Sequence, residues 1–199
     1  MSKKLNRIFF LLMVITLTAP RFVFAQFATQ KFDDRTLIDL QDNRTPEQTS
    51  FFLFMSNTNQ YVDVGVPVAL LAGGIIGHNE AMRQNSLYIA SSSALTYGLT
   101  YLIKHIVKRP RPFIQNINIV PVYRASGTSF PSGHTSSSFA TATALSIAYP
   151  KWYVIGPSFL WAGTVSYSRM YLGEHYPSDV AAGALLGAGS AVSLMFIKK

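Results

Sequence analysis

Five stretches without Asp, Glu, Lys or Arg decide what this chain can fold into: residues 64–77, 87–103, 136–150, 152–168 and 180–197. Wound as α-helix, each covers roughly 20 to 27 Å, close to the hydrocarbon thickness of a bilayer. Charged residues make up 13% of the 199, about half the share of an ordinary soluble domain, too few to clothe a water-facing surface. Ser, Gly, Ala and Thr recur inside the stretches, and small residues let helices approach closely in lipid. The fold class that follows is all-α: a polytopic transmembrane bundle of about five membrane helices, occupying residues 62–199. Gly183 and Gly187 form a GxxxG pair in the last stretch, expected to serve packing within the chain. The absence of cysteine excludes a disulfide framework, a thiolate zinc site and a thiol nucleophile.

The first 25 residues read as a secretory signal. Lys3, Lys4 and Arg7 precede the apolar run 8–17, and Val23 and Ala25 offer small residues before Gln26. Left uncleaved, the same segment is a sixth, N-terminal membrane helix. Residues 26–61 are polar and carry Asp33, Asp34, Asp39, Asp42 and Glu47. They are expected to form loop and short amphipathic helices on the outer membrane face, without chemistry. Alternation of the spans then leaves Arg83, Lys151, Lys198 and Lys199 on the cytoplasmic side, as the positive-inside tendency requires. Lys104, Lys108, Arg109, Arg111, Arg124 and Arg169 fall on the other side, against that tendency. An anionic ligand bound at the outer face gives these cations a reason to be there.

Three outer segments concentrate reactive side chains: residues 104–112, 130–135 and 168–179. Arg forks match phosphate oxygens bidentately, and Lys adds a point charge. Pro131-Ser132-Gly133 at a helix start turns backbone N–H groups and the positive dipole end toward an anion. Asp179 lies four residues after His175, a spacing that allows it to hold one ring nitrogen while the other attacks. His134 then stands as the acid for a leaving oxygen. Nucleophile, orienter, acid and anion cage together describe phosphoryl transfer without a metal. Outside this set, His78, His105, Lys108 and Arg109 read as interfacial residues, with head-group steering a second role for Lys108 and Arg109. Glu174 beside His175 reads equally as a solvated loop residue or a tuner of the histidine. Tyr123 and Arg124 sit on a loop that could touch substrate.

These residues resemble the type 2 phosphatidic acid phosphatase superfamily, whose pattern is K-x6-RP, PSGH and SR-x5-H-x3-D. Lys104 with Arg111-Pro112, then Pro131-Ser132-Gly133-His134, then Ser168-Arg169, His175 and Asp179 fit it in order and spacing. Reading Arg109-Pro110 as the first element would require a lysine at Leu102, so the register is fixed. The resemblance implies that His175 is the nucleophile forming a phosphohistidine, with His134 as general acid and Asp179 orienting His175. It implies that Lys104, Arg111, Ser132, Gly133 and Arg169 hold the phosphate, and that no metal or cofactor is needed.

The expected function is an integral-membrane phosphatase acting on phosphorylated lipid at the periplasmic face of a bacterial inner membrane. A lipid phosphotransferase, a soluble secreted acid phosphatase and a lipid-phosphate-binding membrane protein are the alternatives. A vanadate-dependent haloperoxidase would share the anion cage, but such enzymes are much larger. Nucleic-acid binding is excluded because membrane helices separate the basic loops.

Overall fold

The structure, a computed structural model, describes residues 29–198. The leader read over 1–25 lies outside them. Helix α1 (29–42) is followed by α2 (Pro46–Ile76), α3 (Glu80–Val107), a single turn α4 (Pro112–Gln115), α5 (Gly133–Ala148), α6 (Trp152–Tyr171) and α7 (Pro177–Ser193). A 3-10 turn at Met195–Ile197 ends the described chain. The bundle is all-helical, as the uncharged stretches require.

Helix α2 departs from the sequence reading. The expected span began at Val64, but one helix of 31 residues begins at Pro46, inside the segment read as surface loop and short helices. Its start is well specified. The Thr45 hydroxyl accepts the Gln48 N–H at 3.3 Å, Pro46 fills the first helical position, and Glu47 faces the positive helix end. Its polar residues misled because they bond inside the bundle. Asn59 and Asp63 are both 2% exposed. Asn59 Nδ2 donates to Ser137 Oγ at 3.0 Å and to Asp63 Oδ2 at 2.9 Å, and Thr141 Oγ1 donates to Asp63 Oδ1 at 2.8 Å. Buried polar groups that find partners in this way carry little penalty.

Helix α5 is the axis of the bundle and touches α2, α3, α6 and α7. It consists largely of Ser, Thr and Ala, whose small side chains allow four neighbours to close around it. The hydroxyls of Ser136 and Ser138 bond back to the carbonyls of Ser132 and Thr135 at 2.8 and 3.1 Å, so they are satisfied without reaching other helices. Helix α7 crosses α5 at its two spaced glycines. A Cβ on Gly183 would stand 2.8 Å from the Ser132 carbonyl oxygen, and one on Gly187 only 2.1 Å from that of Ser136. The GxxxG pair therefore packs within the chain, as expected.

The outward faces of α2, α3, α6 and α7 expose large apolar side chains, among them Val68, Ile75, Leu102, Leu160 and Leu185. Apolar exposure of this extent marks a surface meant for a non-aqueous neighbour. Among the described residues, Pro46–Ile76 and Pro177–Ile197 are long and apolar enough to cross a membrane by themselves. Helix α5 is shorter, at 16 residues, and α3 is diluted by Ser and Thr.

Helix α1 lies against the loop that follows α4. Leu37 is fully buried with Ile119 and Tyr176. Gln41 and Arg44 bond the backbone of that loop: the Val120 N–H donates to Gln41 Oε1 at 2.6 Å, and Arg44 donates to the Val120 carbonyl at 2.5 Å. This end of the bundle is thus roofed by the segment that the sequence left without a role.

Gly187→Ala is expected to destabilise the bundle by about 1–3 kcal/mol, the usual range for overpacking. Its thermal midpoint in detergent should fall well below that of Gly189→Ala, whose Cβ would meet nothing within 4 Å.

Candidate active site

The C-terminal ends of α3 and α6 and the N-terminal ends of α5 and α7 meet at one end of the bundle. There they enclose a cavity of about 380 Å³, lined in part by Lys104, Arg111, Gly133, His134, Arg169 and His175. Six of the eight residues named from the sequence therefore line one space. Ser56, Asn57 and Gln60 of α2, with Tyr123 and Ala125 of the α4–α5 loop, complete its wall. No motif or spacing marks the three α2 residues. They reach the site only because α2 extends well beyond its apolar half.

The cations are held by neutral and anionic oxygens. Arg169 is 1% exposed and donates through NH1 to Ser56 Oγ and, at 2.6 Å, to the Tyr123 hydroxyl. Its Nε is buried without a protein partner. Arg111 is clamped on both sides of its fork. Nε donates to the Gly127 carbonyl at 3.2 Å and NH2 to that of Ser126 at 2.9 Å, while NH1 donates to Glu174 Oε2 at 2.9 Å. Lys104 Nζ donates to the Thr128 carbonyl at 2.6 Å. Glu174, fully buried, is the anion set among them and lies 3.9 Å from Arg169 NH2. The solvated-loop reading of Glu174 is overturned: its carboxylate is buried against Arg111 and Arg169. Burial drives its carboxyl upward, and Arg111 and Arg169 pull it back. Burial likewise lowers Arg111 from its usual range.

His175 is placed by the turn that ends α6. Gly173 takes φ +77°, a left-handed conformation that glycine adopts without a Cβ penalty. The reversed chain then returns the N–H groups of Glu174 and His175 to the Arg169 carbonyl at 3.0 and 3.2 Å. The guanidinium and the imidazole are thereby fixed to one small loop, which explains the spacing between them. His175 Nε2 lies 3.4 Å from Arg111 NH1, on the cavity side. Nδ1 lies 3.6 Å from Asp179 Oδ2, longer than a hydrogen bond, and has no other partner. Ion-pair geometry and the orphaned nitrogen agree that Asp179 is its neighbour, and contacts of this kind commonly tighten when substrate binds. Burial holds the imidazole down at about 3, with Asp179 opposing and Arg169 and Arg111 reinforcing. It is therefore neutral at physiological pH.

Two expectations change here. Ser132 does not line the cavity. It is fully buried, and its N–H, expected to face the anion, donates to the backbone carbonyl of Asp179 at 3.1 Å. Its Oγ accepts from Thr135 at 3.0 Å. The tight α5–α7 crossing consumes that donor and leaves the helix start at Gly133 and His134 to the cavity. The second change concerns Arg109, read as an interfacial anchor. It donates to Asp179 Oδ1 at 2.7 Å and to Asp33 Oδ2 at 2.9 Å. Asp179 further accepts the Ser129 hydroxyl and, at 3.0 Å, the Tyr176 N–H. The repeated Arg-Pro pair of 109–112 was the available clue.

This geometry agrees with the comparisons. A family profile described as the PAP2 superfamily matches residues 85–198. The chain belongs to the PAP2 superfamily. It is an enzyme of that superfamily, a phosphatase. The chain is 30% identical over 122 residues, 61% of each chain, to the undecaprenyl-diphosphatase BcrC of Bacillus subtilis. It is 40% identical over 86 residues to the lipid A 4'-phosphatase of Bacteroides thetaiotaomicron, covering 43% of this chain and 38% of that protein. The structure of Aquifex aeolicus LpxE superposes with a TM-score of 0.71 at 26% identity, covering 83% of this chain and 95% of that one. A Bacillus subtilis transmembrane PAP2-type phosphatidylglycerolphosphate phosphatase has the same fold, with a TM-score of 0.71 at 20% identity over 98% of this chain and 94% of that one. The PAP2 bundle so defined is a membrane protein's bundle, which accounts for the apolar outer faces.

The depressed His175 has a consequence for stability. In the unfolded chain its imidazole takes a proton near 6.5, whereas the native site holds it near 3. Between these values unfolding takes up a proton, so stability is full above about pH 6.5 and falls as pH drops toward 3. The thermal midpoint should decline over that window, and His175→Gln should show a shallower decline.

Proposed function

We propose that this PAP2 protein hydrolyses phosphomonoester or diphosphate head groups of a lipid, at the periplasmic face of a bacterial inner membrane, through a phosphohistidine. One observation carries the reading. The His175 ring presents Nε2 to a cavity walled by Lys104, Arg111 and Arg169, while its other nitrogen faces Asp179. Cations alone would suit a binder; a neutral imidazole aimed among them suits a reaction.

In the first step the Nε2 lone pair attacks phosphorus as the bond to the lipid oxygen breaks. His134 gives its proton to that oxygen, and Asp179 stabilises the positive charge that develops on His175. The three cations and the Gly133 helix start neutralise the negative charge on the phosphoryl oxygens. In the second step His134 takes a proton from water, the hydroxide attacks phosphorus, and the N–P bond breaks to release phosphate and free His175. Burial, reinforced by the site's own cations, depresses His134, which stands ahead of the uncharged run at 136, to about 3. A bound phosphate opposes the cations' share of that shift, so substrate binding favours the protonated acid. No step requires a metal.

The lipid nature of the substrate is supported by the cavity's place at the end of a bundle with apolar outer faces, and by the names of the relatives. Residues 62–199 supply the ends of α3, α5, α6 and α7 that meet at the cavity, but the expected boundary at 61/62 falls inside α2, whose Ser56, Asn57 and Gln60 also line it.

The test is phosphate release by the detergent-purified protein, with EDTA present. The substrates are an isoprenoid diphosphate, phosphatidylglycerol phosphate, phosphatidic acid, a lipid A-type phosphate and p-nitrophenyl phosphate. EDTA-resistant turnover of one lipid, abolished in His175→Ala, is the expected result. Hydrolysis retained in His175→Ala would remove the phosphohistidine, and preference for the soluble ester would remove the lipid. Asp179→Asn should lower kcat by roughly 10²-fold or more, by analogy with the aspartate of a catalytic triad.

A further inference from the structure

Asp179 is the orienting group in the reaction proposed above, and it is not free to orient by itself. Its Oδ1 is held by Arg109 NH1 at 2.7 Å, which leaves Oδ2 toward His175. The other arm of that guanidinium, NH2, reaches Asp33 Oδ2 at 2.9 Å. Asp33 belongs to α1, in the N-terminal segment that the sequence reading left without chemistry. Both carboxylates are fully buried, and the Arg109 guanidinium carbon stands 3.9 Å from the centroid of the Tyr176 ring. Asp33 is itself anchored on α7. Its Oδ1 accepts the Ser178 N–H at 3.0 Å and its Oδ2 the Ser178 hydroxyl, while Arg109 NH1 also donates to that hydroxyl at 2.7 Å. Gln30, one turn earlier on α1, accepts from Arg109 NH2 at 3.0 Å.

We infer that Asp33 and Arg109 are positioning residues for the phosphatase reaction, forming with Asp179 a carboxylate–guanidinium–carboxylate relay behind the nucleophile; the inference rests on His175 being that nucleophile. Charge arithmetic gives the relay its purpose. When His175 attacks, its imidazole becomes cationic, and a net negative charge behind it lowers the barrier. Asp179 and Arg109 alone sum to zero. Asp33 supplies the second negative charge, so the triple carries a net −1 behind the ring. The fork has a second purpose: with NH2 held by Asp33, NH1 is aimed at Asp179 Oδ1, a directional hold that a point charge does not give. Helix α1 is thereby part of the catalytic unit, through a residue that touches neither the substrate nor the cavity wall.

The test compares kcat, KM and the inhibition constant for vanadate in the full-length protein, using the lipid that the panel above selects. Asp33→Asn keeps the shape and removes the charge. Its kcat should fall about 10-fold, while KM and the vanadate constant, which report the cation cage, stay within about twofold. Asp33→Glu should recover at least part of the rate. In an Asp179→Asn background, Asp33→Asn should cause no further loss of kcat, because the group through which it acts is gone. Arg109→Lys should also lower kcat with KM held, and it carries the same comparison if Asp33→Asn does not fold. A normal kcat in these variants, a loss confined to KM, or an undiminished loss in the Asp179→Asn background would each overturn the relay. His175→Ala runs beside them. Residual turnover there defeats the phosphohistidine reading, whereas an inactive His175→Ala beside a full-rate Asp33→Asn defeats the relay alone.

Discussion

Two guanidinium groups buried side by side dominate the energetics of this molecule. Arg111 and Arg169 are 6% and 1% exposed, at the end of a bundle that has few charges anywhere else. Removing such ions from water is among the larger penalties a fold can carry, and it is tolerable only with close partners. Glu174 is the nearest of these, and its carboxylate serves both cations. The remaining donors go to the carbonyls of Ser126 and Gly127, the Ser56 hydroxyl and the Tyr123 hydroxyl. These partners come from three separate parts of the chain. The loop after α4, the first half of α2 and the α6–α7 turn are placed where they are because the cations need them.

The same field governs the chemistry. Burial, reinforced by the cations, keeps His175 unprotonated well below neutrality, and in the proposed mechanism a carboxylate behind it supports the charge it acquires on attack. Asp179 fills that position while also accepting the Tyr176 N–H at the start of its own helix and the Ser129 hydroxyl. The site is therefore layered. Cations face the cavity, the imidazole separates them from Asp179, and Arg109 with Asp33 stands behind. Alternating signs across a few ångströms keep so many ionised groups compatible in a region remote from bulk water.

Close helix packing makes this layering possible. Gly183 and Gly187 bring α7 against α5 until backbone carbonyls fill the space of a side chain. The Asp179 carbonyl is then near enough to accept the Ser132 N–H, and the two helix starts are fixed to each other. That approach explains why Ser132, in a motif position, serves structure before ligand. It also shows how the small residues that dilute the hydropathy of α5 are the condition for its central place.

Local patterns in the sequence carried a good deal of this. The charge-free stretches required helices in an apolar solvent, because nothing else satisfies their backbone and hides so little charge. The spacing of Lys104, Arg111, Gly133, His134, Arg169 and His175 named much of the cavity wall, because the chemistry proposed here needs those residue types at fixed offsets from helix ends. What could not be read locally were contacts made across the chain. Asp33 meets Arg109 over 76 residues, Ser56 meets Arg169 over 113, and the polar face of α2 looks like surface until α5 is set against it. A buried ion pair leaves no period and no motif in one segment, since each half by itself resembles a solvated charge. The sequence alone therefore determined the apolar solvent, the helical class and the reacting groups proposed here. Tertiary structure decided which ordinary charges would stand behind them, because only packing removes water and gives a distant carboxylate its force.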